Sequence, residues 1–132
     1  MKSYVLDANA LITLFEDRPG AATVEELLRK ETQQILMSVI NWGEVYYSVW
    51  RSRGQAVAEE KIEQIAQLPI QVVDAESTLV KLAAGLKAEY NLPYADCFAA
   101  ALAGQRNATL VTGDKDFRKV EKNVPILWTN AR

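Results

Sequence analysis

Histidine does not occur in this chain, and its absence excludes a large part of hydrolytic chemistry. Imidazole is the usual general base near neutral pH and the commonest metal ligand. Without it, Ser-His-Asp and Cys-His hydrolysis, paired-histidine RNA cleavage and His-based zinc sites all fall away. Such chemistry would then rest on carboxylates, which work most readily by holding hard cations. A single cysteine, Cys97, leaves no internal disulfide framework and fits a reducing compartment. Long apolar runs are missing too. The opening Tyr4-Val5-Leu6 is broken at once by Asp7, far short of a signal-peptide core or a spanning helix. These features point to a cytoplasmic protein with no membrane partner. The formal net charge of −2 provides no global basic field to attract nucleic acid.

What is present is ordinary globular material. The 132 residues are 49% hydrophobic and 24% charged, enough apolar surface for a core and short enough for one domain, residues 1–132. Short apolar runs alternate with helical patterns, as in an α/β domain with a mainly parallel sheet. Strands are predicted at Tyr4–Leu6, Ile35–Ser38, Ile70–Val73, Thr109–Val111 and Pro125–Leu127. Helices are predicted over about Ala21–Lys30, Trp42–Arg53, Gln55–Gln67, Ala75–Glu89 and Tyr94–Gln105. In the fourth of these Leu79, Leu82, Ala83 and Leu86 recur at helical intervals. Trp42, Val45, Tyr46, Val49 and Trp50 form a wide aromatic stripe on the second, suited to core packing or to a partner chain. Glu44, Tyr47, Ser48 and Arg51 follow another face of it.

The acids fall at informative places. Asp7 closes the first strand, Glu44 follows the second, and Asp114 follows the fourth with Asp116 two residues on. In a parallel sheet these positions share the carboxyl edge, where open α/β sheets place their ligands. Asp96 stands in the first turn of the helix leading to strand four and joins them if that helix starts at the same edge. Two like charges ~4 Å apart repel by about 4 kcal/mol at an effective dielectric near 20, so such a cluster calls for protons or cations. Mg²⁺ or Mn²⁺ is the natural occupant, able to activate water and neutralise phosphate charge. Each acid also has a purely structural reading. Asp7 can form an Asx turn or cap a helix, Asn41 and Glu44 can form a capping box, and Asp96 and Asp114 can complement helix dipoles. Asp74, just before a helix, is expected to cap it.

Taken in order, the acidic segments resemble a PIN domain, and the VapC toxins of toxin–antitoxin pairs in particular. Asp7-Ala8-Asn9 is similar to that family's opening Asp-x-Ser/Asn motif. Ser38-Val39-Ile40-Asn41-Trp42-Gly43-Glu44 resembles the segment ending in its characteristic Glu. The run Leu92–Ala103 around Asp96 looks like its third acidic segment, and Leu110–Phe117 matches the Thr-x-Asp-x-Asp-Phe ending common in VapC proteins. The resemblance spans nearly the whole chain. It implies a five-stranded parallel sheet in order 3-2-1-4-5 flanked by helices, and a Mg²⁺- or Mn²⁺-dependent endoribonuclease that hydrolyses phosphodiester bonds with a metal-activated water. Carried over, Asp7, Glu44, Asp96 and Asp114 form the catalytic, metal-binding site, and Asp116 adds to it directly or through water. Asn9 and Thr112 match polar positions that orient the acids. The implied partners are a VapB-like antitoxin whose tail occupies the active-site groove, a second copy of the chain, and a transfer or ribosomal RNA.

Phosphate contacts come chiefly from Lys and Arg. Lys115, Arg118, Lys119 and Lys122 cluster after Asp114, and Arg51 shares a helix face with Glu44. These are the expected RNA-binding residues. The segment Phe15–Gly20 matches no motif and is where substrate and partner specificity are expected. Three other readings compete. A catalytically inactive PIN-like interaction module would lack metal-dependent cleavage. An aspartyl phosphatase usually needs a second acid where Asn9 stands. A phospho-acceptor receiver domain needs paired acids on the first strand, and they are missing.

Overall fold

The computed structural model describes residues 1–130, so the last two residues of the expected domain lie outside the described residues. Strand β1 (Lys2–Leu6) takes the centre of a five-stranded sheet in the order β3-β2-β1-β4-β5. It is flanked by β2 (Gln33–Ser38) and β4 (Thr109–Thr112), with β3 (Gln71–Val73) and β5 (Ile126–Trp128) at the edges. Every pairing is parallel, as the strand–helix alternation and the family resemblance imply. Parallel strands need crossovers, and among the described residues six α-helices supply those up to β4: α1 (Ala8–Phe15), α2 (Ala21–Arg29), α3 (Val39–Arg53), α4 (Gln55–Gln67), α5 (Ser77–Tyr90) and α6 (Tyr94–Gln105), while a 3-10 turn, Lys115–Val120, lies between β4 and β5.

Successive strand residues face opposite sides of the sheet, so the core divides in two. Val5, Leu36 and Leu110 face α5 and α6, while Tyr4, Leu6, Ile35, Met37 and Val111 face the helices α1 to α4. Helix α6 is buried continuously from Cys97 to Ala103. Four alanines in that run let the helix backbone press between the sheet and its neighbours, which is why the segment has little amphipathic contrast.

The sequence placed α4 and α6 at their observed ends, and three expectations are corrected. Helix α3 starts three residues early, at Val39, capped by Ser38, whose hydroxyl accepts from the Ile40 amide at 3.2 Å. Asn41 therefore sits inside the first turn and is no N-cap, so the capping-box reading fails. Asp74 caps nothing, because α5 begins at Ser77 with Glu76 at its N-cap and no side-chain capping bond. Leu82 is 44% exposed although it belongs to the α5 stripe. Leu79 and Ala83 take the contact with α6, leaving Leu82 on the rim of a mostly apolar groove of about 620 Å³ between the two helices. On α3, Val45 and Val49 are buried while Tyr47 and Trp50 are exposed, and the rings of Trp42, Tyr46 and Trp50 contact in series. Among the described residues no helix is long and apolar enough to cross a membrane.

Candidate active site

At the carboxyl edge of the sheet a small polar cleft of about 180 Å³ is lined by Asp7, Asn9, Arg18, Glu44, Asp96 and Asp114, with Ser48 beside Glu44. Each acid reaches it from a different segment: the end of β1, the second turn of α3, the first turn of α6 and the end of β4. The condition on Asp96 is met, since α6 begins at the same edge.

Asp7 is 3% exposed and has both carboxylate oxygens engaged. One caps α1 by accepting from the Ala10 amide at 2.8 Å. The other accepts from the Thr112 hydroxyl at 2.5 Å. The Thr112 oxygen in turn accepts from the Asp114 amide at 3.0 Å. One buried threonine thus ties the acid ending β1 to the acid ending β4. Asn9 acts nearby, its carbonyl oxygen accepting from the Gly113 amide at 2.9 Å. Gly113 is needed there, because a Cβ would lie 2.7 Å from Thr129 Oγ1 and 3.0 Å from Asn9 Oδ1. Asp114 caps the short 3-10 turn Lys115–Val120, accepting from the Asp116 amide at 2.9 Å. On the other side Asn41 donates to Glu44 at 2.9 Å and to the Ala95 carbonyl at 3.0 Å. That pair of bonds ties α3 to the start of α6.

The electrostatics of the cleft follow from this crowding. Burial pushes the Asp7 carboxyl up from its ordinary 3.8 to about 7; the bonds from Thr112 and Ala10 oppose the rise, and the charges of Asp96 and Asp114 add to it. Asp96 also rises to about 7, through burial first and then the charges of Asp114, Glu44 and Asp116. Glu44 is raised by burial and by Asp114, against the bond from Asn41. Three perturbed carboxyls in one cleft are a mark of functional sites.

The residues fit a hard cation. Oxygens of Asp96, Asp114 and Asp116 lie within 4.8 Å of one another, and the Asp96 Oδ2 atom is buried with no hydrogen-bond partner. A buried carboxylate oxygen without a donor is costly unless a cation supplies its partner. All-oxygen ligation is what Mg²⁺ and Mn²⁺ prefer. Asp116, an addition in the sequence reading, belongs to this oxygen cluster, whereas the oxygens of Asp7 are taken up by protein donors.

Of the expected RNA-binding residues, Lys115 and Arg118 line a second, larger groove. Arg51 and Lys119 are exposed and line neither depression. Sequence reasoning did not single out Arg18. It stands in the segment without a motif, after Asp17 at φ 50°, and pairs with Glu16 at 2.5 Å. Ser48 was detectable, being one helical turn beyond Glu44.

A family model described as PIN domain matches residues 4–123. Among solved structures, the chain is similar to VapBC2 from Rickettsia felis, solved with a DNA fragment from its promoter, at 21% identity and a TM-score of 0.75 over 95% of this chain and 97% of that one. It is similar to VapBC-1 from nontypeable Haemophilus influenzae at 21% identity and a TM-score of 0.74, over 98% and 99% of the two chains. It also resembles VapC20 of Mycobacterium tuberculosis, described as a toxin that cleaves the sarcin–ricin loop, at 14% identity and a TM-score of 0.73 over 87% and 92%. No curated protein sequence matches significantly.

Proposed function

Since the chain belongs to the PIN-domain family, we propose that it is a metal-dependent endoribonuclease, the toxin half of a VapBC-like toxin–antitoxin pair. One observation carries the reading most directly. Carboxylates from four separate segments converge in one cleft, and a buried oxygen of Asp96 is left without a protein donor. A purely structural role would leave four acids capped and apart rather than lining one cleft.

In this reading Asp96, Asp114 and Asp116 hold the cation, with Asp7 and Glu44 completing the acidic catalytic set. A bound Mg²⁺ or Mn²⁺ supplies a more acidic water and charge neutralisation for phosphodiester hydrolysis. The protein's own contribution is placement. Thr112 holds Asp7 and the Asp114 backbone in one unit, and Asn9 fixes the Gly113 turn. Asn41 orients Glu44. Arg18 brings a cation to the cleft where phosphate oxygens would lie. The substrate is RNA, a structured transfer or ribosomal RNA by family analogy. The protein acts in the cytoplasm as one domain over residues 1–132, as a homodimer restrained by a VapB-like antitoxin.

The test is cleavage of total cellular RNA by antitoxin-free protein with Mg²⁺ or Mn²⁺, beside chelator and the variants Asp96→Asn and Asp116→Asn. Discrete products lost in all three controls support the reading. Products that persist in both variants refute it, and no product with either metal favours an inactive interaction module.

A further inference from the structure

Beside the acidic cleft lies a groove of about 840 Å³ lined by Pro19, Gly20, Lys115, Arg118, Trp128 and Asn130. That volume is within the range of small-molecule sites, roughly 300–1,000 Å³. The two depressions adjoin along two strips of chain. Arg18 lines the cleft and Pro19 and Gly20 line the groove; Asp114 lines the cleft and Lys115 lines the groove. The partition between them is fixed rather than loose. Thr129 donates its amide to the Thr112 carbonyl at 3.0 Å, and Asn130 donates to the Gly113 carbonyl at 3.3 Å. Gly20, at φ 102°, lies so close to this segment that a Cβ would be 2.7 Å from the Thr129 carbonyl oxygen.

The lining has a distinct chemistry. Lys115 and Arg118 outnumber the one acid, Glu121, and neither makes a salt bridge among the described residues. Trp128 is half-buried, packed against the core on one side while lining the groove on the other. Cations beside an indole held in place form the combination that binds unpaired nucleotides, with phosphate on the charges and a base on the ring.

We propose that this groove is the subsite for the nucleotide adjoining the cleaved phosphate, with an unpaired base on Trp128 and its backbone on Lys115 and Arg118. The proposal rests on the nuclease reading and narrows it, because the strand at the cut must be single-stranded. A base paired in a duplex has its faces covered by its stacking neighbours and cannot reach the indole.

Binding is measured without cleavage, in chelator, by fluorescence anisotropy of a labelled eight-nucleotide RNA and of a hairpin duplex. Trp128→Leu is expected to weaken single-strand binding about tenfold or more, while Trp128→Phe keeps most of it. RNA-induced quenching of tryptophan emission should shrink in both variants. Lys115→Ala with Arg118→Ala should lower the salt slope by about 1.4, and Lys30→Ala should change nothing. Thermal melting identifies any variant that fails to fold, and the RNA-induced quenching of Trp128→Phe then decides, unchanged quenching overturning the proposal. Unchanged single-strand affinity in a folded Trp128→Leu protein overturns the proposal. So does equal, Trp128-dependent binding of the duplex. Loss of binding to an acidic peptide alone, with RNA binding intact, assigns the groove to a protein partner and also overturns it. Trp128-dependent binding in a protein that cleaves no RNA upholds the groove and defeats the nuclease reading, so the two failures are distinguishable.

Discussion

Replacing Asp7 with Asn should make the metal-free protein more stable at pH 8 and barely change it at pH 5. In the fold the Asp7 carboxyl titrates near 7, against an ordinary value of 3.8. Between those two pH values the folded chain holds a proton that the unfolded chain has released, so stability falls as pH rises across that window. At about 1.36 kcal/mol per pH unit, the whole interval is worth about 4 kcal/mol, a ceiling for a buried group. By pH 5 only about 1.6 kcal/mol of that has been lost. Asparagine removes the titration, while its carbonyl oxygen can still accept from the Ala10 amide. The Thr112 hydroxyl must turn from donor to acceptor, which costs about 1 kcal/mol at every pH. The expected gain is therefore about 3 kcal/mol at pH 8 and under about 1 kcal/mol at pH 5. For a chain of this size that corresponds to roughly 10 °C in Tm at pH 8. Calorimetry or thermal circular dichroism in chelator at both pH values is the assay. An Asp7→Asn protein that melts lower than the parent at pH 8, or gains equally at both pH values, would show that the buried charge is not a source of strain.

Cation binding should be proton-linked, because Asp96, one of the three acids gathered for the cation, titrates near 7. Mn²⁺ affinity should fall about tenfold from pH 8 to pH 6 for each carboxyl that must lose its proton, with proton release seen by calorimetry in two buffers; a flat profile refutes the linkage. Thr112→Val removes a fully buried hydroxyl that serves two partners. It should cost about 1–3 kcal/mol in denaturant unfolding and lower cleavage, while Thr112→Ser should recover most of both. Gly113→Ala forces a Cβ against Thr129 and Asn9. Cleavage should fall at least tenfold with the circular dichroism spectrum unchanged, and full activity would mean that the turn relaxes freely.

The parts of the fold that could be read beforehand are those governed by local punctuation. Gly54 and the pair Leu68-Pro69 bracket α4, and Pro93 opens α6, so both helices were bounded closely. Strand order came from the alternation of elements together with the family resemblance. Helix α1 was harder, because Ala8–Phe15 is only 8 residues long and mostly apolar. The 3-10 turn after Asp114 is too short to carry one. The early start of α3 turns on Ser38 winning the cap from Asn41, a competition between adjacent polar residues that composition does not decide. In the cleft, the acids stood out through motif order, whereas Arg18 arrives by way of a left-handed residue at Asp17. No pattern in the sequence reports where such a turn delivers its side chain. Nor does spacing disclose that Asp7 spends both oxygens on protein donors while Asp96 keeps one unpartnered.

The hydrogen bond from Thr112 to Asp7 spans 105 residues of chain, and β1 is completed on one side only when β4 pairs with it. During synthesis the acid at position 7 emerges well before Asp114 and Asp116. A nascent chain shorter than that holds neither the threonine that ties Asp7 nor the oxygens gathered with Asp96. The cleft therefore comes into being only once β4 has been made and has paired with β1, so its assembly is coupled to completion of the sheet around the central strand.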